Sequence, residues 1–208
     1  MLPAPVYNNY VFVNCPFDAE YAPMLNAIVY TIYRCGFFPQ TALNEDDATE
    51  NRLDKIIRCI GDCRYGIHDI SRTELNKAGL PRFNMPFELG IFFGAKKLGV
   101  HKQRSKSGMV FERKKYACQQ FISDLNGIDT KAHLNQPSTA MEHTRNWLRT
   151  ASKRSTIPGA EQIKTEYINF KKKLPSVAVR LGLNPDNIFF NDYCLMVEEH
   201  IKERIGNK

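Results

Sequence analysis

Between residues 10 and 112, short runs of β-forming residues alternate with segments whose apolar positions recur at helical spacing. That alternation restricts the fold more than any other feature, because each strand must then reach the next through a helix, which favours parallel pairing. Tyr10–Asn14 is an apolar run rich in β-formers, and Cys15-Pro16-Phe17-Asp18 breaks it. A helix follows from about Pro23, with Leu25, Ile28, Val29 and Ile32 on one face, and Gly36 ends it. Phe37–Thr41 is the second strand. Asp47-Ala48-Thr49-Glu50 resembles a capping box with Asp47 as cap, ahead of the stripe Leu53, Ile56, Ile57 and Ile60. Arg64–Ile70 is the third strand, and a loop of about fifteen residues runs from Ser71 to Met85. Pro86 opens the next helix, through about Lys97. Its Phe87, Leu89, Ile91, Phe92 and Phe93 surround the circumference and predict an all-round buried helix. Gly90 and Gly94, four apart, predict close approach of that helix to the sheet. Residues 101–108 read as a basic loop and Met109–Phe111 as the fourth strand, with a further helical turn and an edge strand between Phe121 and His133.

From Ser138 onward the pattern is helical. A helix holding Trp147 and Leu148 precedes a break at Ile157–Gly159, and helices are expected over Ala160–Lys173 and Asn191–Arg204. The expected fold is therefore α/β, a mostly parallel sheet flanked by helices with a helical extension, divided into a core over residues 1–135 and an extension over 136–208. The N-terminus lacks a basic region followed by an apolar one, and no run approaches the ~18 apolar residues of a membrane span. The expected location is cytoplasmic, with no membrane partner. Six cysteines are then expected as reduced, buried thiols. Cys59 and Cys63 share a helix face, but no His or Cys pair follows at zinc-like spacing, so neither metal nor cofactor is expected. The net charge of +7 is uneven: residues 1–100 hold 10 Lys/Arg and 11 Asp/Glu, the remainder 19 and 11. Spread along helices, that excess fits solvated faces or a phosphate-bearing partner better than a nucleic-acid motif.

In open parallel sheets, ligands bind beyond the carboxyl ends of the strands. That rule collects Asn14–Asp18, His68–Arg72 and the start of the Pro86 helix around one crevice. Glu88 stands out, as the only charge between Arg82 and Lys96 in a markedly apolar segment. A buried carboxylate needs a partner or a raised pKa. Here it is either a reacting group or an ion-pair member held by Arg72 or Arg82. Asp69 is either an acceptor for ribose hydroxyls or a turn-forming Asp. Arg72 suits a phosphate, a clamp on Glu88 or plain solvent. Phe17 suits a stacked base or the core, and Asn84 a place near the helix cap or a site role. His68 suits a structural strand-end histidine. No Gly-rich phosphate fingerprint is present.

Val11-Phe12-Val13-Asn14-Cys15-Pro16-Phe17-Asp18, Tyr65-Gly66-Ile67-His68-Asp69-Ile70-Ser71 and Asn84-Met85-Pro86-Phe87-Glu88-Leu89-Gly90 resemble, in order, segments of the nucleoside 2-deoxyribosyltransferase-like group. That group is structurally allied to Toll/interleukin-receptor (TIR) domains, and the resemblance covers about residues 10–98. It implies a flavodoxin-like sheet and a Glu-Leu-Gly helix whose glutamate, here Glu88, attacks the sugar. It matches Pro16–Asp18 and the strand-end Asp69, and together with the strand-end crevice this sets the expected substrate-binding residues as Asn14, Pro16, Phe17, Asp18, Tyr21, Asp69, Ser71, Arg72, Asn84 and Met85. Arg72 and Arg82, in a longer loop than the transferases carry, favour a larger, charged nucleotide, as in bacterial TIR-like NAD-cleaving antiviral defence proteins.

Cleaving an N-glycosidic bond passes through an oxocarbenium-like sugar, which a carboxylate stabilises electrostatically or captures as an ester. Nicotinamide leaves readily, so one carboxylate in a dry pocket is sufficient. The leading expectation is an enzyme acting on NAD or a related nucleotide. The alternative is a nucleotide-sensing module that binds without cleaving and docks a protein partner, or a second copy, through the basic helical half. Nucleic-acid binding through residues 101–115, with six Lys/Arg against one Glu, is a weaker third.

Overall fold

A computed structural model describes residues 4–45, 47–72 and 82–206. The first three residues, and 73–81 of the loop expected between Ser71 and Met85, lie outside the described residues. Five strands form one sheet: β1 (Tyr10–Asn14), β2 (Phe38–Gln40), β3 (Tyr65–Asp69), β4 (Ser107–Glu112) and β5 (Lys131–Ala132). Every pairing is parallel and the order is β2-β1-β3-β4-β5. The order reverses between β1 and β3, which makes their carboxyl ends the place where such sheets open a crevice.

Side chains alternate across the sheet. Val11, Val13, Tyr65, Ile67, Met109 and Phe111 enter one apolar cluster, whereas Phe12 and Val110 face the other side. The first face carries α1 (Ala22–Arg34) together with α5 (Pro137–Ser152), α6 (Ala160–Arg180) and α7 (Phe190–Gly206). Trp147 packs partly buried against that cluster, edge-on to Tyr65 at 5.9 Å. The second face carries α2 (Arg52–Asp62) and α3 (Asn84–Leu98). α6 continues past Lys173 to Arg180 and accommodates Pro175 in its interior.

α1 starts beside Pro23 and stops at Gly36, whose φ of 80° no other residue type adopts as readily. The Gly36 amide donates to Tyr33 O at 2.9 Å and the Phe37 amide to Ile32 O at 3.1 Å, a Schellman closure. It is α1 that is buried almost all round, from Met24 to Tyr33, because the C-terminal helices cover the side the sheet does not.

α3 departs from its sequence reading in three ways. It begins at Asn84, so Pro86 occupies the third helical position, where a missing N–H still costs nothing. Only Met85, Glu88, Leu89 and Phe92 are buried, and Phe87 is 57% exposed, so the helix has an inner and an outer face. A Cβ on Gly90 or Gly94 would meet nothing within 4 Å. The close approach is made instead by glycines of the sheet. Side chains at Gly66 and Gly108 would collide with the Phe92 ring, at 2.6 and 3.0 Å.

Two further readings are corrected. α2 is capped by Asn51, which accepts from the Leu53 amide at 2.8 Å, while Asp47 folds back onto Thr49. Residues 101–104 form a short helix, α4, rather than loop, and Lys106 is buried rather than solvated. Its ammonium donates to the carbonyls of Ile60 and Cys63 at the end of α2, and burial lowers its pKa to about 8. Among the described residues no helix is long and apolar enough to cross a membrane.

Candidate functional site

A cleft of about 640 Å³ opens beyond the carboxyl ends of β1, β3 and β4. The loop after β1 supplies Asp18, Glu20 and Tyr21, and the segment after β3 supplies Ser71 and Arg72. Arg82 enters from the approach to α3, Arg113 follows β4, and Asn135 follows β5. Three arginines in one crevice suit an anion, since guanidinium forks match phosphate and carboxylate oxygens. Asp18 occupies part of that role: it accepts from Arg72 at 2.6 Å and lies 3.4 Å from Arg82, while its second oxygen accepts from the Tyr21 amide. Arg72 also reaches Glu20 at 3.1 Å and stands 6.0 Å from the centre of the Tyr21 ring. Asn135 and its neighbour Leu134 both hold left-handed backbone, φ 56° and 54°, a conformation costly for a leucine.

The walls hang from one buried carboxylate. Asp69 is 0% exposed, and its oxygens accept from the Tyr21 hydroxyl and from the Ser71 amide at 2.8 Å. His133 Nε2 lies 3.1 Å from Asp69 Oδ2, within ion-pair distance but off the line of a good hydrogen bond. Its other nitrogen, Nδ1, accepts from the Asn135 amide at 2.9 Å, so the ring proton sits on Nε2, toward Asp69. Burial pushes the Asp69 carboxyl up, but His133, Ser71 and Tyr21 outweigh it and hold it below its ordinary value. Tyr21, Ser71 and Asn135, each lining the cleft, are thus positioned through Asp69 and His133. Asp69 faces the protein rather than the cleft, so it has no free edge for ribose hydroxyls. Its bond from the Ser71 amide, two residues on, is that of the turn-forming Asp, the other of its two expected roles.

Glu88 has the opposite surroundings. It is 7% exposed, and among the described residues no hydrogen bond or ion pair engages it. Neither Arg72 nor Arg82 clamps it, because both turn to Asp18. Burial raises its pKa to about 7, against a small opposing pull from Arg52. As the fifth residue of α3 it lies beyond the first turn, so the helix dipole favours its anion less than a Pro86 start implies. Asn14 fixes the start of α3 in place: its Nδ2 donates to Met85 O at 2.8 Å and lies 3.2 Å from His68 Nδ1. His68 is fully buried, and that burial lowers its pKa to about 3, which keeps it a neutral structural imidazole. Burial pushes the Cys15 thiol well up, and the charges of Asp69, Glu88 and Asp18, all felt at this strand end, push it further. All six cysteines are buried free thiols.

Of the residues the sequence singles out, Asp18, Tyr21, Ser71 and Arg72 line the cleft. Glu88, Asn14, Pro16, Asn84 and Met85 do not, and Phe17 lies in a neighbouring apolar groove with Leu25, Ile188, Phe190 and Tyr193. Pro16 and Met85 are buried, and Asn84 is an exposed residue of the first turn of α3, next to the cap position Phe83. Arg113, His133 and Asn135 went unrecognised. Arg113 follows β4 directly, so the strand-end rule applied to that strand finds it, whereas nothing local marks His133 or Asn135. No protein-family model matches the chain, and no curated protein matches it significantly.

Proposed function

We propose that the protein cleaves, or transfers the sugar of, an N-glycosidic bond in NAD or a related nucleotide, with Glu88 as nucleophile or oxocarbenium stabiliser. One observation carries this reading: an unpaired, nearly buried carboxylate with a pKa of about 7 stands near enough to Cys15, just past the end of β1, for its charge to be felt there. Displaced pKa values gather where groups do chemistry. In this reading the phosphates bind between Arg72 and Arg82, displacing Asp18, and the sugar reaches Glu88 past the end of β1. Ionised Glu88 then stabilises the positive charge that develops at the anomeric carbon as the base departs. The nicotinamide departs as a neutral base and needs no separate acid. Water, or an acceptor base in the transfer, then bonds the anomeric carbon and gives up its proton to the Glu88 carboxylate. The resemblance to TIR-like NAD-cleaving proteins adds antiviral defence as the setting.

A second reading, a module that binds a nucleotide without cleaving it and docks a partner through its helical face, is favoured by a specific observation: Glu88 is not among the residues lining the cleft. Incubating the full chain with NAD and with 2′-deoxynucleosides, and separating released base by chromatography, decides between them. Release of nicotinamide that disappears in Glu88→Gln supports the enzyme. NAD binding that weakens in Arg72→Ala, with no base released by the wild type, replaces it with the binding module.

A further inference from the structure

Arg113 enters the cleft directly after β4, and the chain around it is tied down on both sides. Its carbonyl accepts from the Leu134 amide at 3.1 Å, and the Glu112 carbonyl before it accepts from the His133 amide at 3.0 Å. The Glu112 carboxylate, 1% exposed, accepts from the Tyr116 amide at 2.7 Å and the Cys118 amide at 3.0 Å, which fixes the segment that follows Arg113. The side chain is held as well. In the amide orientation that gives both groups a partner, Asn135 Oδ1 accepts from Arg113 Nε at 3.0 Å and from Nη2 at 3.1 Å.

Asn135 reaches that position at a backbone cost. Leu134 and Asn135 are both left-handed, and Leu134 is 57% exposed, so burial does not offset its conformation. The bonds just given hold this hook, together with His133, whose Nδ1 accepts from the Asn135 amide at 2.9 Å and whose Nε2 faces Asp69. The buried Asp69–His133 pair thus reaches the cleft through Asn135 and ends at Arg113. Strain kept at an exposed turn beside a crevice points to a role in that crevice. The arginines are also held by different chemistry. Arg72 and Arg82 turn to the carboxylate of Asp18. The Asn135 oxygen is neutral, so it fixes the plane of the Arg113 guanidinium without cancelling its charge. Arg113 is itself exposed on the cleft wall.

We infer that Asn135 is a positioning residue that holds Arg113 to bind a phosphate, and that this pair makes the cleft select a nucleoside diphosphate over an uncharged nucleoside. The inference rests on the reading that the cleft takes a nucleotide, and adds the substrate class to it. A guanidinium held in plane presents its N–H groups to phosphate oxygens with little ordering left to do. One phosphate binds at Arg113 and the next lies toward Arg72 and Arg82, in a cleft whose volume is in the usual range for small-molecule sites. A nucleoside offers no charge to any of the three.

The test is calorimetry of the full chain with adenosine diphosphate and with adenosine, at one ionic strength. Arg113→Gln is expected to bind adenosine diphosphate roughly tenfold more weakly than the wild type, with adenosine affinity unaltered. Asn135→Gly separates positioning from plain structure. Glycine suits a φ of 56°, so a structural role alone predicts a melting temperature kept or raised, and unchanged binding. Positioning predicts the same melting temperature with adenosine diphosphate bound roughly fivefold more weakly. Asn135→Asp, which sets a carboxylate against the guanidinium, should weaken binding further. The inference is overturned if the wild type binds the diphosphate no more tightly than adenosine, if Arg113→Gln binds it like the wild type, or if Asn135→Gly does. No step of this test needs a bond to break. Failure to release nicotinamide would remove the chemistry given to Glu88 and leave the inference standing, and diphosphate affinity that depends on Arg72 but not on Arg113 would do the reverse.

Discussion

Asp69 and Glu88 are both carboxylates held nearly out of solvent, close enough to one thiol, Cys15, for the charge of each to be felt there. Their surroundings treat them in opposite ways. Asp69 is met by the Tyr21 hydroxyl, the Ser71 amide and His133, and its pKa falls. Glu88 is met by no donor among the described residues, and its pKa rises to about 7. The same residue chemistry at the same end of the sheet thus gives one group that organises the walls and one that is left without a partner among the described residues. Environments that drive two carboxylates apart in this way commonly separate a supporting role from a chemical one.

The largest effect that would break this contrast is on stability. Asp69→Ala leaves the Tyr21 hydroxyl, the Ser71 amide and His133 without their acceptor, and is expected to cost about 3–5 kcal/mol in urea unfolding. A midpoint within error of the wild type would mean that Asp69 does not organise the cleft. Its lowered pKa adds a signature in acid: the stabilisation is full above the unfolded value near 4 and is lost as pH falls through the folded value.

Glu88→Gln is expected to reduce nucleotide cleavage by roughly 100-fold or more, while the fold is kept or slightly strengthened. Wild-type turnover in the variant would remove Glu88 from the chemistry, and unfolding would make it structural.

A pH series sharpens the same point, with the sign reversed from Asp69. A raised carboxyl pKa favours the fold while the group is protonated, so this contribution is present below about 4.5 and is lost as pH rises through about 7. Chemical denaturation should therefore show wild type and Glu88→Gln alike near pH 4 and diverging by roughly 1–3 kcal/mol in favour of the variant at pH 8, allowing for partial solvation of the carboxylate. Cleavage by the wild type should rise over the same interval, because the ionised form is the one that acts. Parallel stability curves would show that burial does not displace Glu88.

Arg72→Ala should weaken NAD binding roughly tenfold by calorimetry, with little change in fold, since its partners Asp18 and Glu20 are themselves partly exposed. Unchanged affinity would place the anion elsewhere. The smallest effect is expected at Phe87, the exposed neighbour of Glu88 on α3. Phe87→Ser should shift stability by no more than about 0.5 kcal/mol, whereas a residue facing inward from the same helix would shift it several-fold more.

The sheet was legible because its signal is local. Tyr10–Asn14, Tyr65–Asp69 and Ser107–Glu112 carry β-forming runs, and helical periodicity between them leaves parallel pairing as the simple connection. Even the short β5 falls within the stretch from Phe121 to His133 where an edge strand was expected. The strand-end rule then collected Asp18, Ser71 and Arg72, which do line the cleft, because position relative to a strand is itself a local property. Glu88 was legible for a different reason: a single charge in an apolar segment is visible without knowing what packs there.

Burial was another matter. α1 reads as a one-faced helix and α3 as an all-round apolar one, yet the structure exchanges them. Whether a helix's outer side meets water depends on what a distant segment lays over it. Residues 137–206 cover α1 on the side away from the sheet, while Phe83, Phe87 and Leu98 of the α3 region remain exposed. The same reason governs the site. The sequence by itself determined the parallel α/β order, the strand-end residues and an isolated carboxylate at Glu88. Only the tertiary structure decided that His133 and Asn135 arrive beside Asp69, that Arg113 joins Arg72 and Arg82, and that Glu88 receives no partner. Each of these facts concerns which distant groups share a space, and a pKa or an ion pair is set by that sharing rather than by neighbours in the chain.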